Sequence, residues 1–243
     1  MPERQRADLL LVERGLFESR ARAQAAIQAG LVTANGRTVV KPSDLVARDA
    51  SLEAAQPHPW VSRGGIKLAG ALEHYPIPID DHVCLDVGAS TGGFTDVLLA
   101  RGARLVYAID VGHGQLHPSL QGHTRVRSME NTDIRSLAPD HFSQQPDVVV
   151  IDASFISLKH VLPAALSLAA APTRLLALIK PQFEAERRFS KKGIIRDTTV
   201  HEAICRDVAD FARSLGCDEI TVFPSSITGG DGNHEFFIGA HRG

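Results

Sequence analysis

Residues 83–96 read Val83-Cys84-Leu85-Asp86-Val87-Gly88-Ala89-Ser90-Thr91-Gly92-Gly93-Phe94-Thr95-Asp96, and their pattern decides the fold. An apolar run interrupted only by Asp86 reads as a strand. A glycine-rich turn follows, and then a helical pattern from Phe94 to Ala100. Strand, tight turn and helix start form the geometry that receives a nucleotide-like ligand at the edge of a parallel sheet. Gly88, Gly92 and Gly93 are spaced G-x-x-x-G-G, so the second glycine of the dinucleotide fingerprint, the one that admits a pyrophosphate, is missing. No G-x-x-x-x-G-K-[ST] phosphate loop is present either. Asp86 at the strand end and the wider turn suit a cationic, phosphate-free ligand such as S-adenosylmethionine, whose carboxylate the helix N-terminus can face. Asp86, Gly88, Ala89, Ser90, Gly92, Gly93 and Phe94 are the candidate contacts on this stretch. Taken alone, the stretch also fits a turn that merely joins two elements.

Outward from this turn, strand and helix patterns alternate. Strands are expected at 82–87, 104–110, 125–129, 147–152, 174–180, 219–223 and 234–240, with helices near 93–101, 114–120, 158–170 and 198–214. Such alternation predicts an α/β fold with a doubly wound, mostly parallel, Rossmann-like sheet. The connection through Gly229-Gly230-Asp231-Gly232 is too short for a crossover helix, so the last strand is expected to be antiparallel to its neighbour, as in S-adenosylmethionine-dependent methyltransferases. Asp110 ends the second strand 22 residues after Gly88, which places it and Val111 to meet ribose hydroxyls. Thr132 and Asp133 follow the third strand. Asp133 is placed either to reach an adenine amino group or to cap a helix.

Upstream, Leu9, Leu10, Val12 and Leu16 give a short amphipathic helix over 6–16, and Ser19 caps a second over 20–29 that Gly30 ends. Asn35-Gly36 between two β-rich runs is a strong hairpin signal. Up to Lys41 there are seven Lys/Arg against four Asp/Glu, a local net charge of +3, whereas the whole chain carries -2. Pro57 and Pro59 mark a break, giving an expected first domain over 1–58, a linker over 59–66 and a second domain over 67–243.

The 243 residues are 44% hydrophobic, ample for a core. Three cysteines without a C-x-x-C pair argue against a disulfide framework or zinc site and for a reducing compartment. No metal-ligand cluster is visible, and no metal is expected. The longest apolar-rich run, 161–171, is too short to span a bilayer, so a cytoplasmic monomer without membrane association is expected.

The segment from Arg6 to Pro42 resembles the helix-helix-hairpin RNA-binding module known from ribosomal protein S4. That likeness implies a small α+β domain whose Arg4, Arg6, Arg20, Arg22 and Lys41 face RNA phosphates, giving affinity without sequence information.

Asp152 and Lys180 each follow a run of apolar strand residues, where a charge is costly to bury unless paired. Glu235 opens the last strand and Lys67 lies on the helix before the first. Each taken singly reads equally well as a surface ion pair. Together with the segments V-S-R-G-G-I-K-L, D-V-G-H-G-Q-L, D-A-S-F-I-S-L, L-I-K-P-Q-F-E and G-N-H-E-F-F, they make the chain similar to the TlyA family, also called hemolysin A, whose catalytic domain resembles the FtsJ ribose methyltransferases. The resemblance implies a Lys67-Asp152-Lys180-Glu235 catalytic tetrad, S-adenosylmethionine as cofactor, and methylation of a cytidine 2′-hydroxyl in ribosomal RNA. Amino-group methylation fits less well, since Asp152-Ala153-Ser154-Phe155 stands where such enzymes carry Asn/Asp-Pro-Pro-Tyr/Phe. Carbon methylation fits less well too, since no cysteine ends the fourth or fifth strand. Phe155 is placed either to stack a base turned out of its helix or to fill a core edge. The rival readings are a non-catalytic ribosome assembly factor and, last, a pore-former. The few residues after the last strand leave out a further C-terminal helix, from which a large-subunit RNA target is expected.

Overall fold

The computed structural model describes residues 3–185 and 193–243. The chain divides into two compact units, 1–59 and 60–243.

The first unit contains β1 (Arg4–Arg6), α1 (Ala7–Glu13), α2 (Arg20–Gln28), β2 (Val32–Ala34), β3 (Arg37–Thr38), β4 (Leu45–Ala47) and β5 (Leu52–Ala54). Its core is Leu10, Leu11, Phe17, Ala23, Ile27, Val32 and Val46. Ser19 accepts a hydrogen bond from the Arg22 amide and so caps α2. Asn35 and Gly36 both have positive φ, the condition for the tight β2–β3 hairpin turn. The first helix starts one residue later than expected, because Arg4–Arg6 is a strand. It pairs antiparallel with Leu45–Ala47, a partner about forty residues away that local periodicity cannot reveal.

Asp8 organises this unit. Its carboxylate is fully buried and accepts two bonds from Arg6 at 3.0 Å, one from Arg20 at 3.1 Å and one from Gln24 at 2.8 Å. These join β1, α1 and α2 through one anion.

The second unit contains α3 (Arg63–His74), β6 (Val83–Val87), α4 (Gly93–Ala100), β7 (Leu105–Ile109), β8 (Val126–Met129), β9 (Val148–Ile151), α5 (Leu158–Leu168), β10 (Thr173–Ile179), α6 (Pro181–Glu184), α7 (Thr198–Ser214), β11 (Asp218–Pro224) and β12 (Phe236–Arg242). The expected linker thus holds the first turn of α3. Trp60 also belongs to this unit and packs against Gly65, where an added Cβ would collide with the Trp60 Cβ and Cγ.

The seven strands run in the order β11-β12-β10-β9-β6-β7-β8. β8, β7, β6, β9 and β10 are parallel, and β12 is antiparallel to both β10 and β11, as expected. Alternate residues feed two cores. Leu85, Tyr107, Ile151 and Ile179 pack towards α5 and α7, while Cys84, Val106, Val150 and Leu178 pack towards α3 and α4. Burial on both faces explains why these strands are almost continuously apolar.

The helix expected over 114–120 does not form. Pro118 lies inside it and Gly114 has φ +63°. The amides of Gly114, Gln115 and Leu116, which would start such a helix, instead donate to the Glu130 carboxylate. These three bonds hold the Glu130 carboxyl below the usual range.

Asp8 yields a prediction. The bonds from Arg6, and then from Gln24 and Arg20, hold its carboxyl far below the usual range. A depressed carboxyl contributes stability above the unfolded-state value near 4, and that stability is lost as pH falls. Asp8→Asn lowers the melting temperature of the first unit by on the order of 5 °C at pH 7. Below about pH 4 the difference narrows. Melting curves that remain parallel from pH 7 to pH 3 would refute the role of the anion.

Candidate active site

The parallel strands deliver their carboxyl ends to one edge, and the antiparallel β12 begins there. Gly88 follows β6, Asp110 follows β7, Asp152 follows β9 and Lys180 follows β10. Ile179 is opposite Phe236 in the ladder, so Glu235 arrives beside Lys180 at the same edge. The strand order reverses between β6 and β9, the position where open α/β sheets bind ligands.

The four expected catalytic residues form two ion pairs. Lys180 Nζ lies 2.6 Å from Asp152 Oδ1, and Lys67 Nζ lies 2.6 Å from Glu235 Oε2. Lys67, Lys180 and Glu235 are all buried. Each charge taken from water is thus matched by an opposite one, without which burial costs several kcal/mol, roughly 3–5 for a broken pair. Gly64, at the start of α3, abuts the Lys180–Asp152 pair, since a Cβ there would sit 3.7 Å from Asp152 Oδ2.

Two cavities meet at Asp152. The larger, about 570 Å³, is lined by Gly88, Asp110, Val111, Gly112, Thr132 and Asp133 among others. The smaller, about 180 Å³, is lined by Ser62, Gly64, Ala89, Gly93, Phe94 and Lys180 among others. Gly88, Ser90, Asp152 and Ser154 line both. The elongated space fits a nucleoside joined to an amino acid, and the cradle is built for close approach. Gly88 has φ +82°, and a Cβ on it would fall 2.8 Å from the Asp152 carbonyl oxygen. A Cβ on Gly93 would meet Ser62 Oγ at 2.2 Å. Asp110 accepts from the Ser90 amide at 2.8 Å and the Gly112 amide at 2.7 Å, which fixes its carboxylate at the wall of the larger cavity. S-adenosylmethionine fits this donor and acceptor set: Asp110 for ribose hydroxyls, the start of α4 for the carboxylate.

Of the two readings of Asp133, the structure shows the helix cap. It caps the short helix at Ile134–Ser136 through the Arg135 amide and also lines the larger cavity. Its side-chain bond to Arg135 pulls its carboxyl down to about 2. Phe155 is 90% exposed at the cavity mouth, beside Phe183 at 5.2 Å between ring centroids, so it fills no core edge.

Two expected contacts stand back from the cavities. Gly92, with φ +90°, starts α4 and packs against Leu116 and Leu120, where a side chain would collide. Asp86 is fully buried beneath the turn and accepts from Thr95 Oγ1 at 2.6 Å. Its side chain lines neither cavity. Position in the strand explains this: Asp86 points towards α4, not past the strand end. Conversely, Ser62, Gly64, Gly112, Gln115 and Ser154 line the cavities without having been singled out. All five lie within the quoted motifs, and that proximity is the signal the sequence offers.

In the first unit, Arg6 and Arg20 both bind Asp8 while their side chains remain about half-exposed. Arg22 bonds to Gln56 at 3.1 Å, and Arg4 and Lys41 are exposed. No helix among the described residues is long and apolar enough to cross a membrane.

Burial, and then the nearby Asp152 and Asp110 charges, raise the Asp86 carboxyl to about 7, against the opposing Thr95 bond. Between the unfolded value near 4 and the folded value, the unfolded chain gives up a proton that the folded chain keeps. Stability therefore falls as pH rises from about 4 to 7 and levels off above. Asp86→Asn removes that slope, so the variant gains on the parent between pH 5 and pH 8 in urea unfolding. Parallel pH profiles for the two proteins would contradict the assignment.

A family model described as FtsJ-like methyltransferase matches residues 60–242, and an S4 domain model matches 5–51. The chain is 42% identical over 241 residues to the 16S/23S rRNA (cytidine-2′-O)-methyltransferase TlyA of Mycobacterium tuberculosis, covering 98% of this chain and 90% of that protein. It is 35% identical over 203 residues to the 23S rRNA (cytidine-2′-O)-methyltransferase TlyA of Campylobacter jejuni, covering 82% and 77%. A solved hemolysin-named protein from Streptococcus thermophilus superposes with a TM-score of 0.78 at 41% identity, covering all of this chain and 89% of that one. With its tetrad paired at the sheet edge and these likenesses spanning both units, the chain belongs to the FtsJ-like methyltransferase family, carrying an S4 domain at its N-terminal end.

Proposed function

We propose that the protein methylates the 2′-hydroxyl of a cytidine in ribosomal RNA, and specifically in the 23S RNA of the large subunit. The observation that carries this reading is the Lys180–Asp152 pair standing where the two cavities meet. A ribose hydroxyl is a weak acid and needs an adjacent positive group to bear charge on its oxygen. Lys180 supplies that group, and Asp152 aims it. Lys67 and Glu235 form the second buried pair, which anchors α3 to the start of β12. S-adenosylmethionine, when bound, supplies an electrophilic methyl group on sulfonium sulfur. Gly88, Ser90 and Asp110 hold the nucleoside end, and the start of α4 faces the amino-acid end. Attack then depends on alignment more than on any covalent help from the protein. The new carbon–oxygen bond would replace the methyl–sulfur bond, which leaves a neutral thioether, and the hydroxyl proton would pass to the Asp152 carboxylate while Lys180 stays an ammonium.

Phe155 projects from the mouth of the larger cavity and presents a ring face for the extruded base. Arg4, Arg6, Arg20, Arg22 and Lys41 of the S4 domain give sequence-independent phosphate contacts, so affinity falls steeply with salt. The 23S target is what the Mycobacterium tuberculosis and Campylobacter jejuni relatives have in common by name. A ribosomal RNA substrate supports the reading of a cytoplasmic protein.

Purified protein, labelled cofactor and unmodified subunits test the reading. Incorporation goes into large subunits as 2′-O-methylcytidine, with small subunits at least tenfold poorer. Equal labelling of both would overturn the 23S restriction, and labelling of a base would overturn the ribose assignment. Lys180→Ala abolishes transfer while calorimetry still detects cofactor binding. Asp110→Ala weakens binding by on the order of tenfold, the loss of one charge-assisted hydrogen-bond partner. The reverse pattern would exchange the two roles.

A further inference from the structure

We propose that Ser154 is a positioning residue for the reaction, fixing the rotation of the Lys180 ammonium so that one of its N–H bonds faces the acceptor oxygen. The inference rests on the ribose-methylation reading above.

A lysine ammonium is a rotor with three donors. A directed hydrogen bond selects one rotation about the Cε–Nζ bond, whereas an ion pair outside hydrogen-bond geometry leaves it free. Lys180 Nζ donates to Ser154 Oγ at 2.7 Å and stands 2.6 Å from Asp152 Oδ1, whose contact is an ion pair without hydrogen-bond geometry. The Asp152 carbonyl oxygen is at 3.4 Å, a weak contact. Ser154 thus supplies the one short, directed acceptor, and the remaining donors are loosely engaged and exchangeable. Ser154 lines both cavities, so the hydroxyl lies where methyl donor and acceptor meet.

Phe155, next in the chain, has φ +65°, a left-handed conformation that a bulky residue adopts only at a cost, and its ring is 90% exposed. The Ser154 hydroxyl accepts from Lys180 and, among the described residues, donates to no protein acceptor.

Full-length Ser154→Ala and Ser154→Thr are compared with the parent on unmodified large subunits. With the rotor freed, Ser154→Ala loses on the order of tenfold to a hundredfold in kcat, the scale of a misaligned reacting group. KM for subunits, cofactor affinity by calorimetry and melting temperature stay within experimental error of the parent. Ser154→Thr keeps the hydroxyl and recovers most of kcat. A Ser154→Ala enzyme with parental kcat, or one whose loss lies in cofactor affinity or melting temperature, would overturn the proposal. So would a threonine variant as slow as the alanine one. A parent that transfers no methyl to ribose would instead refute the function itself, so the two failures are distinguishable.

Discussion

The cost of taking charge out of water governs the second unit. Lys67, Lys180 and Glu235 are buried at the end of an almost wholly apolar sheet, with Asp152 beside them. Unpaired, each would cost several kcal/mol, comparable with the net stability of a domain. They are tolerable because the topology pairs them. β9 and β10 are parallel neighbours, which sets Asp152 next to Lys180, and β12 runs the opposite way, which brings Glu235 to the edge that α3 approaches with Lys67. The antiparallel last strand is thus a requirement of the site as well as a signature of the fold.

The first unit solves a related problem with one anion. Asp8 sits fully inside, and three side chains from β1 and α2 converge on it. Arg6 and Arg20 neutralise Asp8 while about half of each side chain stays exposed.

Around the cavities, backbone geometry has been traded for access. Gly88 and Gly92 have positive φ, and so do Ser90 and Phe155, which lack glycine's freedom. Strain held by surrounding structure is commonly stored where a ligand must come close. The Glu130 carboxylate is a milder example. It draws three amides of 114–116 into a turn, and in doing so holds Gly112 and Gln115 against the larger cavity.

Strand positions, the other helix positions and the hairpin at Asn35-Gly36 were legible in the chain because they arise from local rules: period-two burial, apolar runs between two helical layers, and glycine where φ must be positive. The residues of the site were legible as types at strand ends, and the family likeness said which to group. Which lysine meets which carboxylate was not legible, since Lys67 and Glu235 stand at opposite ends of the unit's sequence and are brought together by a strand reversal. Nor was the loss of the 114–120 helix, because Glu130, the competitor for its amides, lies across a loop. The strand at Arg4–Arg6 depends on Leu45–Ala47 in the same way. Asp86 reads as a ligand contact from its place before Gly88, yet the pleat turns it into the core beside Thr95, a direction fixed only once the sheet has chosen which face meets α4. Local periodicity determines elements, whereas long-range pairing, with its desolvation and hydrogen-bond accounting, decides which side chains share a site.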